Sequence, residues 1–174
     1  MTRLRHNIFY VGTYTRTTSE GIYLCRMDNS TGAVERMAVT EGIENPSFVA
    51  LSPDNANLYA VAEIDEYGGQ SSGAVFSYSI STDTGELSYL NQQPTGGPGP
   101  CHLTVDATGS HVIVANYQGG SVCVLPIQSD GSLGEMSEFS QHEGSSVNPR
   151  RQEGPHAHSA NIDPNNRFVY MPDL

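Results

Sequence analysis

The chain has 174 residues, 8 Lys+Arg against 19 Asp+Glu, and a formal net charge of −11. All of its basic residues are arginines, which excludes lysine Schiff-base chemistry and a P-loop lysine, and the acidity argues against a nucleic-acid binder, which needs a basic face. No apolar run reaches membrane-spanning length, and Cys25, Cys101 and Cys123 are odd in number and lack C-x-x-C spacing, so free thiols are expected rather than a disulfide framework or a zinc site.

The opening "MTRLRHNIFYVGTY" carries charge but no apolar stretch of signal-peptide length, so a cytoplasmic protein is expected. Residues 8–14, "IFYVGTY", read as one strand. "GIYLCRMDNSTGAVE" follows as two alternating segments around a polar turn that ends at Gly32; its "NST" fits a glycosylation sequon but reads as part of that turn. "VALSPDNANLYAV" (49–61) is a second kind of hairpin, with two apolar runs around Ser-Pro-Asp-Asn. Both kinds then recur in turn as "GAVFSYSISTDTGEL", "LTVDATGSHVIVA" (103–115), "GSVCVLPIQSDGSLG" and "ANIDPNNRFVYMP" (160–172). The turn residues Ser52, Asp106 and Asp163 are 54 and 57 positions apart, and Gly32, Gly85 and Gly131 are spaced by 53 and 46.

No segment longer than ten residues keeps a 3.6-residue apolar period, so the chain reads as all-β. Two hairpins per repeat give four strands, A to D, and a four-stranded repeat of this length predicts a β-propeller of four-stranded antiparallel blades. A sandwich explains the alternation but not the repeat. Tyr10 aligns with Tyr59, Ile113 and Tyr170, so the first strand is a B strand; the tyrosines in this column are expected to be core packing. A single partial domain over 1–174 follows: strands B–D at 8–40, blades at 46–93 and 100–145, and the start of another at 155–174. About three and a half blades of a larger ring, seven on the resemblance described below, are then present. The expected partner is the missing C-terminal half of the ring, from the same gene or by self-association of two copies, which leaves a strand B redundant. A half ring has open sheet edges, so poor activity and aggregation are expected.

"FYVGTYT" (9–15), "NPSFVALSPD" (45–54), "LYAVAE" (58–63), "GPCHL" (99–103), "VANYQGGSV" (114–122), "NPRRQEGPHAHS" (148–159) and "DPNNRFVYMPDL" (163–174) together resemble the seven-bladed lactonase propellers, the family of bacterial 6-phosphogluconolactonase and fungal carboxymuconate cyclase. The R-Q-E-G-P-H-A-H-S run is the specific part. The resemblance covers the N-terminal half of the family fold. It implies hydrolysis of a sugar lactone, 6-phosphogluconolactone to 6-phosphogluconate in the pentose phosphate route, with no cofactor. The alternatives are a lactonising isomerase of the carboxymuconate-cyclase type and a non-catalytic propeller scaffold. Arg150 stands where the family often has an acidic or neutral residue, and the glycine and acidic residue that usually follow "PDL" are not there.

In a propeller, strand A is innermost and the loop entering it lies at the rim of the central channel. His156 and His158 are two apart at such an entry, so an extended backbone turns them to the same side. With Arg151 and Glu63 they are the candidate catalytic residues: an imidazole base, a guanidinium for an oxyanion or a phosphate, and a carboxylate that orients a histidine or acts as base. Either histidine could be the base. His102, Gln152, Asn116, Tyr117 and Asp173 are candidate substrate-binding residues, Asp173 standing on a cut edge. Glu63 could equally accept backbone N–H groups, Asn116 could cap its turn, and Arg150 could be solvated. His6, His111 and His142 read as surface residues. The histidine pair with Glu63 or His102 could hold a divalent ion, but no spacing demands one and none is expected.

Overall fold

The computed structural model describes residues 6–174; residues 1–5 and the His6 side chain lie outside that description, and with them the readings of the extreme N-terminus and of His6. Every regular element among the described residues is a β-strand. β1 (His6–Val11), β2 (Ile22–Asp28) and β3 (Val34–Thr40) form a three-stranded antiparallel sheet in that order. Next come β4 (Val49–Leu51), β5 (Asn57–Ala62), a small hairpin of β6 (Glu66–Tyr67) and β7 (Gln70–Ser71), β8 (Ala74–Ile80) and β9 (Leu87–Pro94). A four-stranded sheet has the order β4-β5-β8-β9, and β6 and β7 pair with each other. β10 (Pro100–Val105), β11 (His111–Asn116), β12 (Ser121–Pro126) and β13 (Glu138–Gln141) form a second four-stranded meander, and β14 (Asn161–Ile162) pairs with β15 (Val169–Tyr170). The fold is an all-β partial propeller. The β6–β7 hairpin was not anticipated: two residues per arm are too few to show alternation, and only the Gly68-Gly69 turn marks it.

The turns explain the repeat. Asp106 accepts the N–H groups of Ser110 at 2.6 Å and His111 at 2.8 Å, and Asp163 accepts those of Arg167 at 2.6 Å and Phe168 at 2.7 Å. Ser52 does the same for Asn57 at 2.9 Å. Each of these turns contains one left-handed residue, Asn55, Gly109 or Asn166, with φ of 59°, 70° and 56°. Only Gly and Asn or Asp take that conformation readily, and this keeps the spacing legible. Burial raises the Asp106 pKa, but hydrogen bonds from Thr108, Asn166, His111 and Ser110 outweigh it and hold the carboxyl well below its ordinary range.

The second strands of the two four-stranded sheets, β5 and β11, are covered on both faces, so their burial is continuous rather than alternating. Leu58, Ala60 and Ala62 of β5 pack with Ile22, Ile43 and Ala74 on one side. Tyr59 and Val61 pack with Leu103, Val112, Val114 and Leu125 on the other. Ile113 and Ala115 of β11 then meet Ala157 and Ala160 ahead of the last hairpin. Tyrosine hydroxyls tie neighbouring sheets: Tyr10 donates to the Gly85 carbonyl at 2.6 Å and Tyr59 to that of Gly131 at 3.1 Å. The expectation of core packing therefore holds for Tyr59, which is fully buried, and fails for Tyr170, which is 61% exposed. Nothing in the described chain lies over Tyr170 as the following sheets lie over Tyr10 and Tyr59.

Candidate functional site

The site is built on the turn that follows β11. Asn116 is fully buried, and its amide donates to the Thr95 carbonyl at 3.2 Å and to Ser121 Oγ at 3.1 Å. It locks the turn from inside, with its Oδ1 buried and without a hydrogen-bond partner among the described residues. Tyr117 comes next, its N–H held by the Gly99 carbonyl at 2.8 Å. Two residues on from Gln118, Gly120 takes φ of +56°, and a Cβ added there would lie 2.4 Å from the Pro155 carbonyl oxygen. The glycine lets this turn press against the segment that carries the histidine pair.

Tyr117 gathers three of the expected residues. The His156 ring stacks on it with centroids 4.8 Å apart and planes at 23°, while the His158 ring meets it edge-on at 5.3 Å and 82°. Arg151 Nη2 donates to the Tyr117 hydroxyl oxygen at 3.2 Å. No carboxylate among the described residues reaches ion-pair distance of Arg151, whereas Arg26 and Arg36 pair with Glu35 and Glu20. His156 Nδ1 lies 3.1 Å from the Tyr117 carbonyl oxygen. A carbonyl cannot donate, so Nδ1 carries the proton and the neutral ring keeps its lone pair on Nε2. That Nε2 is 3.8 Å from Glu153 Oε1.

The segment 156–158 is fixed by its pairing with 172–174. His158 N–H reaches the Pro172 carbonyl at 3.0 Å, Leu174 N–H reaches that of His156 at 3.2 Å, and Ala157 bridges Asp173. This extended backbone is why residues two apart both meet Tyr117. Asp173 does not stand free on an edge. Its Oδ1 accepts the His156 N–H at 2.7 Å and its Oδ2 is 2.6 Å from His142 Nδ1. His142 is accordingly half-buried and paired, a correction to its reading as a surface residue, while His111 is exposed as expected. The Gln152 side chain closes its own turn, Oε1 accepting the Asn148 N–H at 3.0 Å. Arg150 is exposed.

His102 and Glu63 stand behind this cluster. His102 Nδ1 accepts the Ala160 N–H at 3.2 Å, so its proton belongs on Nε2, and its ring lies 4.2 Å from Phe48. Burial first, and the neighbouring His158 second, push its pKa down and keep it neutral. Glu63 Oε2 accepts the Tyr14 hydroxyl at 2.8 Å and the Ser47 hydroxyl. Glu63 forms no hydrogen bond or ion pair with His156, His158 or Arg151 among the described residues. Its charge is felt at Cys101, whose thiol sits 3.5 Å from the His158 carbonyl oxygen; burial and then Glu63 push that thiol up to about 11. Sequence reasoning missed Tyr14, Ser47 and His142. Tyr14 and Ser47 lie inside segments that had been singled out, but nothing in their spacing pairs them with Glu63. Among the described residues no three His, Cys, Asp or Glu side chains converge as a metal cage, and no helix is long and apolar enough to cross a membrane.

The model of the family described as Lactonase, 7-bladed beta-propeller matches residues 8–174. The chain is 40% identical to the 6-phosphogluconolactonase of Bacillus subtilis over 167 residues, 96% of this chain and 46% of that protein. It superposes on a candidate 6-phosphogluconolactonase of Bacteroides fragilis with a TM-score of 0.91 at 34% identity, over 99% of this chain and 47% of the other. A periplasmic gluconolactonase of Pseudomonas aeruginosa gives a TM-score of 0.88 at 34% identity, over 97% and 47%. The chain thus spans about half the length of the relatives it matches.

Proposed function

The chain belongs to the seven-bladed β-propeller lactonase family, and from that premise we propose that the protein hydrolyses a sugar lactone, 6-phosphogluconolactone to 6-phosphogluconate in the pentose phosphate route, at the cluster around Tyr117. The observation that carries this reading is the fixed tautomer of His156, stacked on a tyrosine whose hydroxyl is bonded by an arginine with no ion-pair partner among the described residues. His156 Nε2 takes a proton from water, and the water oxygen bonds to the lactone carbonyl carbon. The ring C–O bond then breaks, and the imidazolium returns the proton to the departing oxygen. Because Arg151 donates to the Tyr117 oxygen, the phenolic O–H is left to donate to the oxyanion, and the guanidinium is the cation nearest the site for a phosphate. His158 forms a second wall. His102 holds the Ala160 N–H behind it, and Glu63 holds the Tyr14 and Ser47 hydroxyls. The blades that would face this cluster across a closed ring come from outside the described chain.

The test is the rate of 6-phosphogluconolactone loss above its spontaneous hydrolysis. His156→Asn should lower kcat by roughly 10²-fold or more, the range for a general base. Arg151→Ala should chiefly raise KM. No acceleration by the closed ring, or an unchanged kcat in His156→Asn within it, would remove this reading.

A further inference from the structure

Asn45 and Gly99 occupy the same place in the repeat, 54 positions apart and each followed by proline. Both are left-handed, with φ of 46° and 62°. Each carbonyl accepts the N–H of the residue that follows a B strand, Glu63 at 3.1 Å and Tyr117 at 2.8 Å. Glycine takes this conformation without strain, so an asparagine here needs a reason in its side chain. Asn45 is 3% exposed and bonded at both ends of its amide. Oδ1 accepts the Thr15 N–H at 3.1 Å, while the Thr15 hydroxyl oxygen accepts the Asn45 N–H at 3.0 Å. Nδ2 donates to the Glu63 carbonyl at 3.4 Å, and the Asn45 carbonyl also accepts the Ser47 N–H at 2.7 Å.

These bonds fix the backbone around three residues that meet at one oxygen. Glu63 Oε2 accepts the hydroxyls of Tyr14, next to Thr15, and of Ser47. Its other oxygen, Oε1, has no hydrogen bond among the described residues. Glu63 holds the place in its blade that Tyr117 holds in the next, four residues past the column of Tyr59 and Ile113. A backbone bridge joins the two, with the Gly99 N–H on the Ile64 carbonyl at 2.9 Å and the Tyr117 N–H on that of Gly99. A carboxylate only accepts, and pinning one oxygen with two donors directs the other. The partner that suits such an oxygen beside a lactone site is a hydroxyl group.

We propose that Asn45 is a positioning residue, which aims Glu63 Oε1 at a sugar hydroxyl of the substrate held at the Tyr117 cluster. The inference rests on the sugar-lactone reading of that cluster and supplies the group that reads the polyol. The contact is the same with the lactone and with the open-chain product, so it contributes to binding rather than to the chemical step. All five residues lie between the first strand and the β6–β7 hairpin.

The experiment measures equilibrium binding of 6-phosphogluconate, the open-chain product, to the closed ring by calorimetry. Product binding needs no turnover, so this inference and the base placed at His156 fail separately. Glu63→Gln removes the charge from the acceptor and should raise Kd about tenfold. Asn45→Gly keeps the left-handed backbone without the side chain and should raise Kd at least about threefold. Added to Glu63→Gln it should cost nothing more, because it acts through that carboxylate; a residue that merely supports the fold would add its own loss. Ser47→Ala, the milder substitution, should shift Kd in the same direction and carries the test if Asn45→Gly folds poorly. Lactone kinetics of Asn45→Gly should show a raised KM with kcat unchanged. A ring that binds product in this pattern without accelerating lactone loss refutes His156 as the base and supports the positioning role. An unchanged Kd in Glu63→Gln, an unchanged Kd in both Asn45→Gly and Ser47→Ala, losses that add in the double variant, or no product binding would each overturn the inference.

Discussion

Gly120 joins the fold to the site, and Gly120→Ala is the sharpest test of that junction. Its φ of +56° costs an alanine about 1–2 kcal/mol. A Cβ would also lie 2.4 Å from the Pro155 carbonyl oxygen and 2.8 Å from its Cβ, so two backbones must part by several tenths of an ångström. Overpacking of that kind costs about 1–3 kcal/mol. The sum is about 2–5 kcal/mol. Gly32→Ala supplies the control, because Gly32 has φ of +73° but nothing within 4 Å of an added Cβ. It isolates the conformational part at about 1–2 kcal/mol. Urea midpoints of the two variants measure the difference, with the slope checked for constancy. The shift of the Pro155 segment should also separate the His156 and Tyr117 rings, so ring-current shifts of the His156 protons should shrink in Gly120→Ala alone. Equal midpoints for the two variants, or intact His156 shifts in Gly120→Ala, would refute the close approach as the reason for this glycine.

Tyr59→Phe leaves the Gly131 carbonyl without its hydroxyl partner inside the core, so urea unfolding should show a loss of about 1–3 kcal/mol; Tyr10→Phe, on a partly exposed residue, should lose less. Asp106 has a depressed folded-state pKa, so its contribution is full above the unfolded carboxylate pKa and is lost as pH falls through the acid range; Asp106→Asn should flatten stability against pH below about 4, as followed by urea midpoints. Burial pushes Cys123 up to about 12 and, with Glu63, Cys101 up to about 11, so neither should react appreciably with a disulfide reagent at pH 8 until the protein is unfolded.

The architecture was legible because each repeat is punctuated by chemistry with few substitutes. Asn55, Gly109 and Asn166 occupy a left-handed position that most residues avoid, and Ser52, Asp106 and Asp163 fold their side chains back onto the same turn. Those constraints are local, so they survive as sequence spacing. The His156–His158 pair was legible for the same reason: a strand alternates its side chains with a period of two. The role of Tyr117 was not, since it depends on three segments meeting, at 117, at 151 and at 156–158. The His142–Asp173 contact was less visible still. Two common polar residues 31 positions apart carry no spacing signal, and only the closure of the last hairpin brings them together.

Three histidines then differ in what they can do because their first nitrogens meet different partners. His102 Nδ1 accepts a backbone N–H, so its lone pair is spent and burial keeps it neutral, the state of a structural imidazole. His156 and His142 donate through Nδ1, to a carbonyl and to a carboxylate, which leaves the lone pair of the neutral ring on Nε2. The partner of the His156 ring is an uncharged carbonyl, with Glu153 3.8 Å from its other nitrogen, whereas the His142 ring meets a carboxylate directly. Asp173 touches both histidines, the ring of one and the N–H of the other, so a change there disturbs the two imidazoles together. Substitution of the rings themselves, with Asp173 left in place, is therefore what separates the two.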